Sequence, residues 1–201
     1  MAVTGGVVRL TAMATIHQAT LHPSKAELVA AWLPTQPWFD GPAGVAHPVG
    51  AYRFDDPAGE VGIESLLFEV GGRTVHVPLT YRATELVGAR RWLVGTMEHS
   101  VLGARWVYDA VGDPVYRDEL VRVIRDADTQ VRLFVQTPDG PVERAPNMSV
   151  IGTGTAEPVE PVDAQVVVVR YPAPGLDVPA RSALTGTWPG QDEPVVLAHL
   201  A

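Results

Sequence analysis

The chain has 201 residues, of which 46 % are hydrophobic and 19 % charged, a composition that excludes an intrinsically disordered segment and suits one domain or two small ones. Its formal net charge of −8 makes nucleic acid and anionic membrane surfaces unsuitable as default partners. The sequence has no cysteine, no signal-peptide pattern and no apolar run of the ~20 residues that a spanning helix needs, so we expect a soluble cytoplasmic protein without disulfides or cysteine chemistry.

A short helix is predicted first. Ser24 and Glu27 form a capping-box pattern directly before the apolar run at residues 28–33. Apolar side chains four positions apart, such as Leu28 and Trp32, form one stripe. Pro34 ends the helix because proline lacks a backbone donor and clashes with the preceding turn.

Extended runs follow between residues 49 and 109. Gly71 and Gly72 separate two of them and favour a tight hairpin turn, because both positions tolerate positive φ. In the run at residues 73–82 apolar and polar side chains alternate, which predicts a half-buried strand with His76 on its solvated face. Pro78 favours an edge strand or a bulge there. The runs predict a curved antiparallel meander; they cover residues 49–54, 61–70, 73–82, 91–98 and 105–109.

A second helix is predicted from Asp113, as N-cap, and Pro114, as first helical residue, to about residue 127. On its outer face we expect an ion pair between Asp118 and Arg122, four residues apart. The alternation at residues 130–136 then predicts another strand.

The character of the sequence changes at residues 138–163, where prolines and glycines replace periodic patterning. Gly152 and Gly154 are predicted as turn glycines in this stretch, since they lack the further glycine and the lysine of a phosphate loop. We therefore predict two units, residues 1–137 and 138–201. The fold class is α+β: a curved antiparallel sheet packed with helices, followed by a smaller β-rich segment.

The densest polar group is Glu98-His99-Ser100, with Asp109 downstream. Neighbouring residues on a strand point to opposite faces, so these side chains do not form a serine triad, and we expect no catalytic residue among them. His99 is expected to make a hydrogen bond in a turn or in the core. We nevertheless retain His99 and Asp109 as candidate contact residues.

A metal site requires several converging ligands, and the histidines do not converge in the sequence. His17 and His22 flank the entry to the first helix, whereas the others are isolated. No metal site is predicted. Of the five tryptophans, Trp38 stands beside Phe39 in a proline-rich turn and is the candidate for an exposed contact.

Two stretches resemble the N-terminal cap region of actinobacterial maltokinase-like proteins: residues 17–39, with Trp38-Phe39 at their end, and residues 95–114. The segment Pro78-Leu-Thr-Tyr-Arg82 fits the same family. The resemblance is specific over residues 14–135. It implies a cap of curved antiparallel sheet and helices, often compared with cystatins, that precedes a segment equivalent to a kinase N-lobe.

The second unit resembles that N-lobe-like segment in degenerate form. Asn147 and Ser149 match part of the family's phosphate-covering loop, and they are the candidate cofactor-binding residues. Val167 stands where kinases carry the lysine that contacts ATP phosphates. Phosphoryl transfer needs an acid that orients the acceptor hydroxyl and carboxylates that hold Mg²⁺, and in this fold the C-lobe supplies both. The sequence has no His-Gly-Asp or Asp-Phe-Glu type motif of such a C-lobe.

The leading functional hypothesis is therefore a non-catalytic accessory or interaction module near α-glucan or trehalose metabolism, with no cofactor. Its expected partner is a carbohydrate-metabolic enzyme or kinase, or a second copy of the chain. One alternative is part of a split sugar kinase, which would bind ATP and Mg²⁺ with a separate C-lobe. Another is a small-molecule-binding module that uses the concave face of the sheet.

Overall fold

The computed structural model describes residues 13–16, 19–137, 140–155, 165–179 and 181–201. Its central element is a six-stranded antiparallel sheet that curls into a half-barrel. Two helices pack against it: α1 (Lys25–Trp32) and α2 (Pro114–Arg125). The strands of this sheet are β2 (Leu21–His22), β3 (His47–Asp55), β4 (Gly62–Val70), β5 (Arg73–Arg82), β6 (Leu93–His99) and β7 (Gly103–Asp109).

Two smaller sheets complete the described structure. One is formed by strands from the N-terminal region and from residues 132–144, and the other by strands after residue 148. The first consists of β1 (Met13–Ile16), β8 (Arg132–Thr137) and β9 (Gly140–Arg144). The second consists of β10 (Ser149–Gly152), β11 (Val166–Val168), β12 (Ala183–Trp188) and β13 (Gln191–Leu200). The predicted α+β class with a curved sheet is thus confirmed. Neither described helix has the length and apolar character needed to cross a membrane.

The strand order β2-β6-β7-β5-β4-β3 corrects the predicted meander. Strands β3, β4 and β5 follow one another as expected, with Gly71 and Gly72 at φ values of 59° and 77° in the turn between β4 and β5. Strand β7, however, lies beside β5, and the earlier strand β6 lies outside it. The connection at residues 83–92 is long enough to pass over one strand position, which the extended runs alone did not indicate.

The predicted caps of both helices are present. The hydroxyl of Ser24 accepts from the Glu27 N–H, and the Glu27 carboxylate accepts from the Ser24 N–H. Asp113 caps α2 by accepting from Val115 N–H at 3.0 Å. The expected Asp118 pair of Arg122 is wrong, because the guanidinium contacts Glu119 at 2.6 Å and Asp128 at 2.7 Å instead.

Both faces of the large sheet are buried, which corrects the prediction of a half-buried β5. The face under α1 packs in a cluster that includes Val29, Leu79 and Val107. The opposite face packs against α2 and the β10–β13 sheet through a second cluster. That cluster includes Tyr52, Ile63, Tyr116, Leu120, Ile124, Val150, Leu184 and Leu197. Residues on both sides of the proposed boundary at 137/138 therefore share one core; the boundary itself stays a prediction.

His76 is fully buried, so its predicted solvated position is wrong. Its Nε2 lies 3.1 Å from the Tyr52 hydroxyl and its Nδ1 lies 3.2 Å from the Val169 carbonyl. Burial, together with the nearby positive charge of Arg170, lowers the pKa of His76 to about 3. The imidazole is thus a neutral part of the core, because the second unit covers the face that alternation assigned to solvent.

Strand β5 is central in the sheet, although Pro78 predicted an edge or a bulge. The pairing of β5 with β7 runs from Leu79 to Arg82, so Pro78 lies just beyond it. The His76 N–H points to this unpaired side and donates to the Arg170 carbonyl at 2.8 Å. Backbone N–H groups two residues apart in a strand point to the same side, so the nitrogen of Pro78 points to the same unpaired side as that of His76. The missing N–H of the proline therefore removes no hydrogen bond between strands.

Strand β10 packs so closely on α2 that its glycine has no space for a side chain. A Cβ on Gly152 would lie 2.1 Å from the Val123 carbonyl oxygen and 2.8 Å from the Ile124 Cα. Gly152 and Gly154 are therefore close-packing glycines, and the predicted turn role of Gly152 is wrong because it ends a strand.

We predict that Gly152→Ala lowers the free energy of unfolding by about 1–3 kcal/mol, because the methyl group collides with the backbone of α2. Urea denaturation followed by circular dichroism measures the change. Gly44→Ala is the matched control: nothing lies within 4 Å of the Cβ position, and we expect a change within about 0.5 kcal/mol. Equal midpoints for the two variants would contradict the close approach.

Candidate functional site

The main cleft lies on the face of the large sheet that α1 covers incompletely. Helix α1 has eight residues and spans about 12 Å, whereas β3 to β5 have nine or ten residues and span about 30 Å. A cleft of about 790 Å³ remains beyond the helix, a size within the range of small-molecule sites. Leu21, Tyr81 and Met97, which line the cleft, belong to the cluster under α1.

An ionic cluster stands at the wall of this cleft. Lys25, at the start of α1, forms a short ion pair with Glu64 of β4. The hydroxyl of Tyr81 donates to the same carboxylate at 3.0 Å. Arg53 of β3 is the direct cross-strand partner of Glu64. The register of the hairpin therefore brings two cations and one phenol to a single buried carboxylate.

The charges fix the protonation of this cluster. Burial by itself would raise the pKa of Glu64, but the Lys25 and Arg53 charges and the hydrogen bonds from Lys25 and Tyr81 hold it below its usual value. Burial and the Glu64 charge raise the pKa of Tyr81. Glu64 is thus an anion and Tyr81 a neutral donor at neutral pH.

Two charged side chains of β3 make no side-chain hydrogen bond in the described parts of the chain. The Nε atom of Arg53 is buried without an acceptor. Asp55, two residues further, lines the cleft, and burial raises its pKa while the Arg53 charge opposes that shift. The cleft thus presents a donor and an acceptor that folding does not use.

A second, smaller cavity of about 280 Å³ adjoins the first at the edge of β3. Residues 129–133 and 143–148 form its other wall. The Val131 N–H donates to the Arg53 carbonyl at 3.0 Å, and the Ala51 N–H donates to Asn147 Oδ1 at 3.2 Å. Lys25, Arg53 and Glu64 line both cavities.

The two candidate phosphate-loop residues are separated by the fold. Asn147 lines the smaller cavity and holds the edge of β3. Ser149 begins β10 and pairs with Thr187 of β12. Val167 lies in β11, opposite His199 of β13. The role proposed for Asn147 and Ser149 in cofactor binding stays a prediction.

The three candidate contact residues lie in different places. Trp38 is half-buried: its ring packs on Trp32 and Tyr171, with centroids 5.8 and 6.2 Å away, and the Arg170 guanidinium lies over it. His99 lines the cleft, and its Nδ1 accepts from two backbone N–H groups of the following turn, as predicted for a turn histidine. Asp109 is fully buried and bonds Arg170 at 2.5 Å.

Within the described ranges, no group of three or more metal-ligating side chains is close enough to hold an ion. His17, one of the histidines weighed as a ligand, lies outside those ranges.

Sequence reasoning missed the cluster at Glu64. Two signals for it existed: Lys25 is the single lysine of the chain, and Glu64 is a charged residue within the mostly apolar run at residues 61–70. Neither signal identified the partner, because Lys25 and Glu64 are 39 residues apart and meet only through the packing of α1 on β4.

Comparison with known proteins gives one family. Residues 32–113 match the model of the maltokinase N-terminal cap domain, which confirms the resemblance over the range from the end of α1 to the cap of α2. The cleft lies largely on strands of this matched region. No curated protein matches the chain.

We predict that Glu64→Gln destabilises the fold by about 1–3 kcal/mol at pH 7, because Lys25 and Arg53 lose their anion. The folded pKa of Glu64 is depressed, so its stabilisation is present above the ordinary value of 4.5 and is lost as pH falls through the folded pKa. The difference between wild type and variant should therefore shrink below about pH 4.

Urea titrations at pH 7, 5 and 3 measure this dependence. Glu69→Gln, on the exposed part of the same strand, is the control and should change stability by less than about 0.5 kcal/mol at each pH. A loss for Glu64→Gln that does not vary with pH would contradict the ionic role.

Proposed function

We propose that this chain, built around a maltokinase cap-like domain at residues 32–113, is a non-catalytic binding module that holds a small polar ligand in the cleft beside α1. The observation that carries the proposal is the unused polarity of this cleft. Arg53 and Asp55 line it without side-chain hydrogen bonds in the described residues, whereas Lys25 and Tyr81 both donate to the Glu64 carboxylate. A ligand that both accepts and donates hydrogen bonds would complement both groups.

The segment that resembles a kinase N-lobe supports binding rather than phosphoryl transfer. Its strand has Val167 at the lysine position, and the basic Arg170 that follows is neutralised by the buried Asp109. Asn147 uses its side-chain oxygen to hold β3. These contacts stabilise the packing on the cap, and they engage the Arg170 guanidinium and the Asn147 Oδ1 atom within the protein.

The resemblance to maltokinase caps supports the biological setting of this proposal. We propose a role in the cytoplasm, in α-glucan or trehalose metabolism, beside a carbohydrate-metabolic enzyme or kinase as protein partner. Binding of a polar metabolite in the cleft would then signal the presence of that metabolite to the protein partner.

The first test measures melting temperature and calorimetric binding with maltose, glucosamine and a fatty acid. Leu102 lines the cleft and is 48 % exposed, so Leu102→Trp should narrow the cleft without disturbing the core. The neighbouring Val101 is 55 % exposed and does not line the cleft, so Val101→Trp is the matched control. We expect saturable stabilisation by maltose or glucosamine that Leu102→Trp weakens roughly tenfold and Val101→Trp leaves unchanged.

Three results would contradict the proposal. The first is an absence of saturable binding by both polar probes, and the second is equal effects of the two tryptophan variants. The third is saturable stabilisation of the chain by ATP and Mg²⁺, which would favour the split-kinase alternative.

A further inference from the structure

We propose that the smaller cavity, between the edge of β3 and residues 129–148, binds a small oxyanion: a phosphate or carboxylate group. This site adjoins the ligand cleft beside α1 and shares Lys25, Arg53 and Glu64 with it, but its other wall, which includes Arg144 and Asn147, does not line that cleft. Three observations support it: an excess of positive charge among the lining residues, a buried Arg53 Nε atom without an acceptor, and a small volume.

The charge of the cavity is opposite to that of the chain. Four cations and two anions line it, although the whole sequence has a net charge of −8. Both anions are engaged: Glu64 with Lys25, and Glu143 with Arg132. Arg53 lies beside Glu64 but shares that single carboxylate with Lys25, and Arg144 forms no ion pair with a described carboxylate. The cavity is therefore cationic after all internal ion pairs are formed.

Arg53 supplies the buried part of this positive charge. Its main chain is fixed twice, by the ladder to β4 and by the Val131 N–H on its carbonyl. Its Nε is buried without an acceptor. A buried donor without a partner costs free energy, and a two-oxygen anion satisfies a guanidinium in a bidentate manner. An oxyanion at this position would thus accept the hydrogen bond that the Arg53 Nε atom lacks within the described residues.

The opposite wall adds further donors. Arg144, at the end of β9, is exposed and brings a second guanidinium. The Asn147 amide accepts from Ala51 N–H through Oδ1, which leaves its Nδ2 group to donate. Cations and an amide donor on opposite walls form a suitable set for an anion.

The volume selects the size of the ligand. The cavity measures about 280 Å³, just below the range of about 300–1,000 Å³ typical of sites for drug-sized ligands. It therefore suits inorganic phosphate or a small phosphorylated or carboxylated molecule better than a nucleotide. Since Lys25 and Glu64 line both cavities, occupancy here would also act on the cluster at the wall of the larger cleft.

Calorimetry at constant ionic strength tests the proposal with sodium phosphate and sodium citrate as separate probes. Arg53→Met and Arg144→Met each remove one guanidinium and keep an apolar stem. Arg90→Met, at an exposed position outside both cavities, is the control. We expect saturable binding of one or both probes, weakened roughly tenfold by each of the first two variants and changed less than about twofold by the control. Binding of phosphate alone identifies a phosphate-bearing ligand, and binding of citrate alone a carboxylate.

The exposed position of Arg144 keeps the test independent of folding. Arg144→Met should unfold at the same temperature as wild type, so a loss of anion binding in this variant reports the site itself. Arg144 does not line the larger cleft, and its removal should leave maltose or glucosamine binding unchanged. Absence of saturable binding by both probes, or equal affinities in Arg144→Met and Arg90→Met, would overturn the proposal without affecting the one made for the larger cleft.

Discussion

The architecture depends on one contact, between the segment Val169-Arg170-Tyr171 and the central strands of the large sheet. The Arg170 guanidinium pairs with Asp109 at the end of β7, and its carbonyl accepts from the His76 N–H of β5. Asp109 is fully buried, and burial raises its pKa although Arg170 opposes the shift. A buried carboxylate of this kind needs a cation beside it, and the cation comes from the second unit. The segment therefore completes the open edge of β5 and neutralises the end of β7 at once.

This contact determines which face of the sheet can bind another molecule. The β10–β13 sheet, together with α2, covers the face that contains Tyr52 and Ile63. The other face lies under α1, which is too short to cover strands of nine or ten residues. Lys25 at the start of that helix then meets Glu64, and the cleft opens beyond the pair. The location of the cleft is thus a consequence of helix length and of the side on which the second unit packs.

The same contact also engages side chains of the segment for which a resemblance to a kinase N-lobe was predicted. In a nucleotide-binding lobe, a basic side chain on the strand and polar groups on the loop face a ligand. Here Arg170 faces Asp109 and the ring of Trp38, and Asn147 faces the backbone of β3. The Arg170 guanidinium and the Asn147 side-chain oxygen are therefore both engaged within the protein. Arg53 and Asp55, which make no side-chain hydrogen bond within the described residues, lie on β3, inside the region that matches the family.

The sequence by itself determined the local elements. Ser24 and Glu27 fix the start of α1, Asp113 and Pro114 that of α2, and the glycine pair fixes the turn between β4 and β5, because caps and turns depend on side chains a few residues apart. The resemblance to a known family predicted a maltokinase cap-like domain, and the match over residues 32–113 confirms it. Only the tertiary structure decided that β7 lies beside β5, that His76 is buried, and that Lys25 meets Glu64 beside Arg53. These features depend on which elements pack against each face of the sheet. The alternation of polar and apolar residues along one strand carries no information about the layer that packs on it.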